Sequence, residues 1–329
     1  MLKYIRVSIG TAAILGLTKI KMLAKPTTAY LMTYYPGKCL GNCGFCTQAR
    51  TSKTGSEYLS RVIWPRYPFS KVLNSLERSS EFKRICIQVL IYPNYVNETL
   101  EIVNHLKSKV NIPISVSIYP RNVSDLVKLK EAGVERIGIG VDAATKSLFE
   151  KIKSPFSWEK TLKLIDEALR IFGRGRVSVH LIYGLGERDI DFIKLMLKLH
   201  NRGIRIGLFA FTPMEGTRLA NRKPPEQSKY RAIQLSHFLI TKHSATMRNF
   251  QFDENGDLTK IIFPRDLLLK VIRSGNPFIT KGCPNCNRPF YNEPPRRPLY
   301  NYPTIDMVKK DLMIIMQQLK SYFPKNVIN

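Results

Sequence analysis

The sequence predicts an α/β fold: a partial, open (β/α)6 barrel of the TIM type, followed by a C-terminal extension of irregular and helical segments. Three observations carry this expectation. From residue 29 to about 213, short runs rich in Val, Ile and aromatics alternate with helical patterns. There are six such repeats, fewer than the eight of a complete barrel. After a Pro-rich break at KPPE the alternation stops.

The N-terminus, MLKYIRVSIGTAAILGLTKIKM, imitates a secretory leader, with Lys3 and Arg6 before a short apolar run. Lys19 and Lys21 stand where a small-residue cleavage site belongs, and the run is too short to cross a bilayer. Residues 1–28 are therefore read as a helical segment leading into the first strand, in a cytoplasmic protein that does not enter a membrane.

The strand candidates are residues 29–35, 84–93, 112–120, 136–143, 176–186 and 205–213, with the composition of buried parallel strands. Between them, FSKVLNSLERSSEF, VNETLEIVNHLKSK, VSDLVKLKEAG, WEKTLKLIDEALRIF and DIDFIKLMLKLHN carry apolar residues at helical spacing. Right-handed βα crossovers then give a parallel core over residues 29–225, with its site at the C-terminal strand ends. In the extension, residues 226–329, EQSKYRAIQLSHFLITKH and FPRDLLLKVIRSG read as helices. GCPNCNRPFYNEPPRRPLYNYP is a Pro-rich loop, and IDMVKKDLMIIMQQLKSYF is a closing helix.

The 329 residues can bury a substantial core, and 44% hydrophobic content without low-complexity runs excludes a disordered chain. Lys and Arg number 52 against 25 Asp and Glu, a net charge of +27 spread along the chain. Such a surface attracts polyanions or acidic proteins. The plainer reading is a solvated basic surface.

Six cysteines in a large chain without an export signal point to a reducing compartment. Their placement is more informative. KCLGNCGFCTQAR puts Cys39, Cys43 and Cys46 just after the first core strand. A structural zinc site usually takes four ligands in two pairs, and a four-cysteine cluster site leaves no vacancy. Three thiolates can hold three irons of a 4Fe-4S cube and leave the fourth open to a small molecule.

That stretch resembles the signature of the radical S-adenosylmethionine (SAM) superfamily, with Phe45 at its aromatic position. The resemblance implies a 4Fe-4S cluster whose open iron chelates SAM, and cleavage of SAM to methionine and a 5′-deoxyadenosyl radical. It implies further cofactor contacts. YGLGERD resembles the Gly-rich adenine-side segment, through Gly184, Gly186 and Glu187. Asp142, ending the fourth core strand, resembles an acidic residue that biotin synthase relatives use near the ribose or substrate. Its alternative role is a helix N-cap. IYPNYVNE lacks the Gly-Gly-Glu that many members use for the SAM amino group, as does biotin synthase, and leaves Tyr92 and Asn94 as candidates. FTPMEGT resembles a site-lining segment after the sixth strand, or is simply a turn.

Cys86, inside RICIQ, is by default a buried apolar residue. The strand nevertheless resembles one in biotin synthase where an R-x-C cysteine binds an auxiliary iron–sulfur cluster. Cys283 and Cys286, at C-x2-C spacing, would supply two more thiolates. Half a zinc site and a redox pair are the alternatives. By analogy with lipoyl synthase and biotin synthase, Ser274 after Arg273, or Arg288, stands as a fourth ligand.

The Pro-rich loop resembles that of archaeal biotin-synthase-related proteins, among them the two-component archaeal lipoyl synthase. The implied activity is a sulfurtransferase of lipoyl synthase type, in which the radical takes hydrogen from an octanoyl chain and the auxiliary cluster donates sulfur. Hydrogen-atom abstraction needs no general base, so no catalytic acid or base is assigned. The implied partners are an acidic lipoyl carrier (H protein or E2 lipoyl domain), a second radical SAM subunit and an electron donor such as ferredoxin. Another biotin-synthase-like sulfurtransferase, a tRNA-modifying radical SAM enzyme and a non-catalytic iron–sulfur accessory subunit are the alternatives. No RNP-like motif supports nucleic acid.

Overall fold

Eight strands form one sheet in the computed structural model, which describes residues 3–323. Residues 1–2 and 324–329, the ends of the expected N-terminal segment and C-terminal extension, lie outside them. The strands are β1 (Tyr4–Val7), β2 (Thr28–Thr33), β3 (Arg66–Pro68), β4 (Arg84–Gln88), β5 (Ile114–Ser117), β6 (Arg136–Asp142), β7 (Val177–Tyr183) and β8 (Arg205–Ala210). Their spatial order is β8-β7-β6-β5-β4-β2-β1-β3. Six of them, β2, β4, β5, β6, β7 and β8, are parallel, as the six repeats predict.

The N-terminal expectation needs correction. Residues 4–7 are a strand, antiparallel to both β2 and β3, and only Ile9–Ile14 (α1) is helical before β2. The reason lies in Arg6. Its guanidinium is buried and donates to Trp64 O (3.0 Å) and Ser56 Oγ (3.1 Å), so it belongs to a sheet interior and not to the polar face of a helix.

Around the sheet run α2 (Phe69–Glu77), α3 (Tyr95–Lys109), α4 (Val123–Glu131), α5 (Lys146–Ile152), α6 (Trp158–Phe172) and α7 (Asp189–Asn201). Asn122, Thr145 and Ser157 cap α4, α5 and α6 through their side chains; each such cap contributes about 1 kcal/mol. In the strands, Ile85, Ile87, Val116, Ile137, Ile139, Val179 and Leu208 are wholly buried or nearly so in the hydrophobic core. The intervening residues, among them Cys86, Ser117, Gly140, His180 and Gly207, line internal cavities. The small residues among them, Cys86, Ser117, Gly140 and Gly207, leave the barrel hollow instead of filled.

In the extension, α8 (Gln227–His243) buries Arg231, which donates to Gln234 Oε1 (2.6 Å) and Tyr300 O (2.7 Å). After α9 (Arg265–Arg273) comes the Pro-rich loop. The expected closing helix is two helices, α10 (Ile305–Lys310) and α11 (Leu312–Leu319). The break falls at Asp311, whose carboxylate accepts from Arg297 Nε (2.9 and 3.0 Å) and from Tyr302 OH (2.8 Å). These contacts pin the chain where a continuous helix would have carried Asp311 onward. No described helix is long and apolar enough to cross a membrane.

Candidate active site: two cysteine sets in adjoining cavities

The loop after β2 wraps so that its three cysteines share one cavity of about 240 Å³. Cys39 N–H donates to Gln48 O (3.0 Å), Leu40 N–H to Ile91 O (2.7 Å) and Cys46 N–H to Cys43 O (3.0 Å). Asn42–Cys43 also pairs antiparallel with Lys153–Ser154. The FTPMEGT run closes the far side of the loop: Lys53 N–H donates to Gly216 O (2.8 Å). Gly216 has φ +80°, and a Cβ there would lie 2.6 Å from Thr54 N, so only glycine suits this approach.

Cys39 Sγ accepts from the N–H groups of Gly41 (3.4 Å) and Ile91 (3.3 Å). Burial pushes the Cys43 thiol up to about 11, against the nearby Lys153 charge, and pushes Cys46 higher still. Thiols held this way stay protonated unless a bound metal centre takes their negative charge.

Phe45 and Asp142 line the same cavity. Asp142 is not a helix cap; that position belongs to Thr145, whose hydroxyl accepts from Leu148 N–H. Asp142 sits at φ +64°, and its Oδ2 accepts from Lys153 Nζ at 2.6 Å. Lys153 also donates to Gly140 O (2.6 Å), and both charged side chains are buried. Sequence reasoning missed Lys153, because nothing in KIKSPF marks one of two lysines as turned inward.

The second set lines a neighbouring cavity of about 360 Å³ that contains Cys86, Cys283 and Cys286. Strand register places Tyr30, Cys86 and Ser115 side by side. Cys283 Sγ lies 3.6 Å from Ser115 Oγ, Cys286 Sγ lies 3.4 Å from Tyr30 OH, and Gln88 Nε2 donates to Cys86 Sγ (3.2 Å). The Pro-rich loop is held against the barrel by Thr27 Oγ1 to Asn285 O (2.5 Å), Asn287 Nδ2 to Lys25 O (2.8 Å) and Arg288 N–H to Tyr30 OH (2.9 Å). Burial raises the Cys86 thiol, and Cys283 and Cys286 raise it further, as mutual neighbours would. All six cysteines are free thiols.

Of the two fourth-ligand candidates, Arg288 lines this cavity, its guanidinium 3.8 Å from the centre of the Phe209 ring. Ser274 ends α9 and donates to Val271 O (2.6 Å). It does not line the cavity.

Among the described residues, three side chains border both cavities: His180, Phe209 and Tyr291. Tyr92, Asn94, Gly184, Gly186 and Glu187 border neither. Tyr92 stacks on Tyr35 at 4.9 Å and donates to Glu98 Oε2 (2.7 Å). Asn94 stands at the N-terminus of α3. Glu187 folds onto its own loop, accepting from Gly184 N–H (2.5 Å) and Leu185 N–H (2.9 Å).

A family model described as the radical SAM superfamily matches residues 34–199, a span that contains the Cys39, Cys43 and Cys46 loop. The chain belongs to the radical SAM superfamily. Within that superfamily it is related to biotin synthase. It is 30% identical to the biotin synthase of Hydrogenobaculum sp. over 196 residues, 57% of this chain and 56% of that protein. It is 27% identical to that of Clostridium perfringens strain 13 over 215 residues, 62% and 63% of the two chains. The match thus spans less than two thirds of these curated relatives.

Solved structures of methylornithine synthase (PylB; TM-score 0.50, 19% identity, 64% of this chain and 62% of that one) share the radical SAM fold. So does the FeFe-hydrogenase maturase HydG from Carboxydothermus hydrogenoformans (TM-score 0.51, 16% identity, 66% and 52%).

Membership implies a 4Fe-4S cluster and SAM, and the residues fit them. Among the described residues no three His, Cys, Asp or Glu side chains are arranged to hold a single metal ion. Three half-buried thiols spread around a common cavity, one of them receiving two backbone N–H groups, suit the separated corners of a cube. An auxiliary cluster is consistent with the biotin synthase relatives, and Cys86, Cys283 and Cys286 would hold it.

Proposed function

We propose that this radical SAM enzyme inserts sulfur into a saturated carbon chain, in the manner of a lipoyl synthase acting on an octanoyl group attached to a carrier-protein lysine. The observation that supports it is the pair of cysteine sets in cavities that share one wall. When bound, the first cluster and SAM would supply a 5′-deoxyadenosyl radical that takes a hydrogen atom from the substrate, and the auxiliary cluster would supply the sulfur.

The chain's own residues supply placement and exclusion. Cys39, Cys43 and Cys46 hold the first centre, and Lys153 with Asp142 sets the charge beside it. Tyr30, Ser115 and Gln88 orient the second set of thiols. The +27 surface suits an acidic carrier domain. A second radical SAM subunit and a ferredoxin-type donor complete the proposed system.

The test is anaerobic reconstitution with iron and sulfide, then SAM, reductant and octanoyl-lysyl peptide, with dethiobiotin as the competing substrate. Thiolated octanoyl product together with 5′-deoxyadenosine supports the reading. Thiolation of dethiobiotin alone would make it a biotin synthase, and 5′-deoxyadenosine without any sulfur product would sink it.

A further inference from the structure

His180 lies on β7 with glycine as its partner on both sides, Gly140 on β6 and Gly207 on β8. The two residues paired with it across the sheet therefore place no side chain beside the imidazole. The fit is close: a Cβ at Gly207 would approach His180 Cδ2 to 3.1 Å, and one at Gly138 would approach Nε2 to 3.4 Å. The ring meets Phe209 edge-on at 5.5 Å, and Phe209 meets Tyr291 at 5.7 Å. Arg288 covers Phe209 with its guanidinium, so this ring is held from three directions. These three rings are the wall common to both cavities.

The larger cavity also reaches the surface. Its lining includes Ile20, Leu23 and Ile63, which are 41%, 62% and 40% exposed, and Lys21 and Arg61 stand beside them. Large apolar side chains kept open to water at the end of a cavity suit an apolar ligand that arrives from outside.

We propose that His180, Phe209 and Tyr291 form a waist that admits an unbranched saturated alkyl chain, and that this waist determines substrate shape. The chain passes the Ile20, Leu23 and Ile63 rim, crosses the second cysteine set and ends between the three rings. Its reacting carbon is then presented to both cavities at once. This inference rests on the sulfur-insertion reading and adds the residues that select the chain. A methyl branch at the waist meets packed rings: Phe209 lies against His180, Tyr291 and Arg288, and His180 sits close against Gly138 and Gly207.

The experiment uses the reconstituted full chain and two peptides, octanoyl-lysyl and a mid-chain methyl-branched octanoyl-lysyl. Wild type should give at least about tenfold less thiolated product from the branched peptide. Phe209→Ala should narrow that gap and raise the ratio of 5′-deoxyadenosine to thiolated product about tenfold, because a loosely held carbon is misplaced. Gly207→Ala, which crowds His180, should depress product from the straight chain. Equal use of both peptides by wild type overturns the waist whatever the variants do, and so does an unchanged ratio in iron-replete Phe209→Ala. Absence of thiolated product from wild type with either peptide would instead overturn the octanoyl-chain reading on which the waist rests.

Discussion

Lys153 Nζ lies 2.6 Å from Asp142 Oδ2, and both side chains are buried beside the first cysteine set. Burial works against the lysine's charge, but Asp142 and Cys43 outweigh it and hold its pKa above the usual lysine value. The lysine therefore stays charged at neutral pH. Lys153→Met would leave Asp142 buried without a counter-charge and should cost roughly 3–5 kcal/mol in urea denaturation. Lys153→Met with Asp142→Asn should recover part of that loss. A double variant no more stable than the single one would show that the pair is not the coupled unit.

Thr145, not Asp142, starts α5. Thr145→Ala should lower stability by about 1 kcal/mol through the lost cap and leave iron binding intact. Denaturation midpoints and iron content measured on the same sample separate the two roles. Loss of iron in Thr145→Ala would contradict this division.

The cysteine sets should be separable by chemistry. Replacing Cys86, Cys283 and Cys286 with Ala should take the iron content from about eight to about four per chain. SAM cleavage should continue without sulfur product. Replacing Cys39, Cys43 and Cys46 should remove the other four and abolish SAM cleavage. Iron assay and electron paramagnetic resonance read both outcomes.

His237 is buried in α8, and neither ring nitrogen has a hydrogen-bond partner among the described residues. Burial, followed by Lys281 and His200, pushes it down to about 3, below the usual histidine value of 6.5. The unfolded chain therefore binds a proton that the folded chain refuses. Stability should fall as pH drops below about 6.5, by up to about 1.4 kcal/mol per pH unit. Urea midpoints of wild type and His237→Phe between pH 7 and pH 5 test this. The slopes should differ, and parallel slopes would assign the acid sensitivity elsewhere.

Much of the architecture was legible in the residues. The six core strands and the five long helices between them follow from apolar runs and spacing, because each such segment must bury one face whatever its partners. Cys39, Cys43 and Cys46 were legible too, since thiols so close in sequence are constrained by their loop alone. Tyr4–Val7 was misread because the sequence does not say that the Arg6 charge would meet Trp64 O and Ser56. Asp142 as a cap failed because a buried lysine eleven positions later competes for the same carboxylate.

The sequence by itself determined a βα series and a three-thiol loop, properties of local spacing and composition. Only the tertiary structure decided that Cys86 meets two cysteines nearly two hundred positions away, and that His180, Phe209 and Tyr291 divide the interior. Strand alternation such as R-I-C-I-Q and R-I-G-I-G records which residues turn from the helices toward the lumen. What meets there depends on strand register and on where the Pro-rich loop is held, and both are set by contacts between distant parts of the chain.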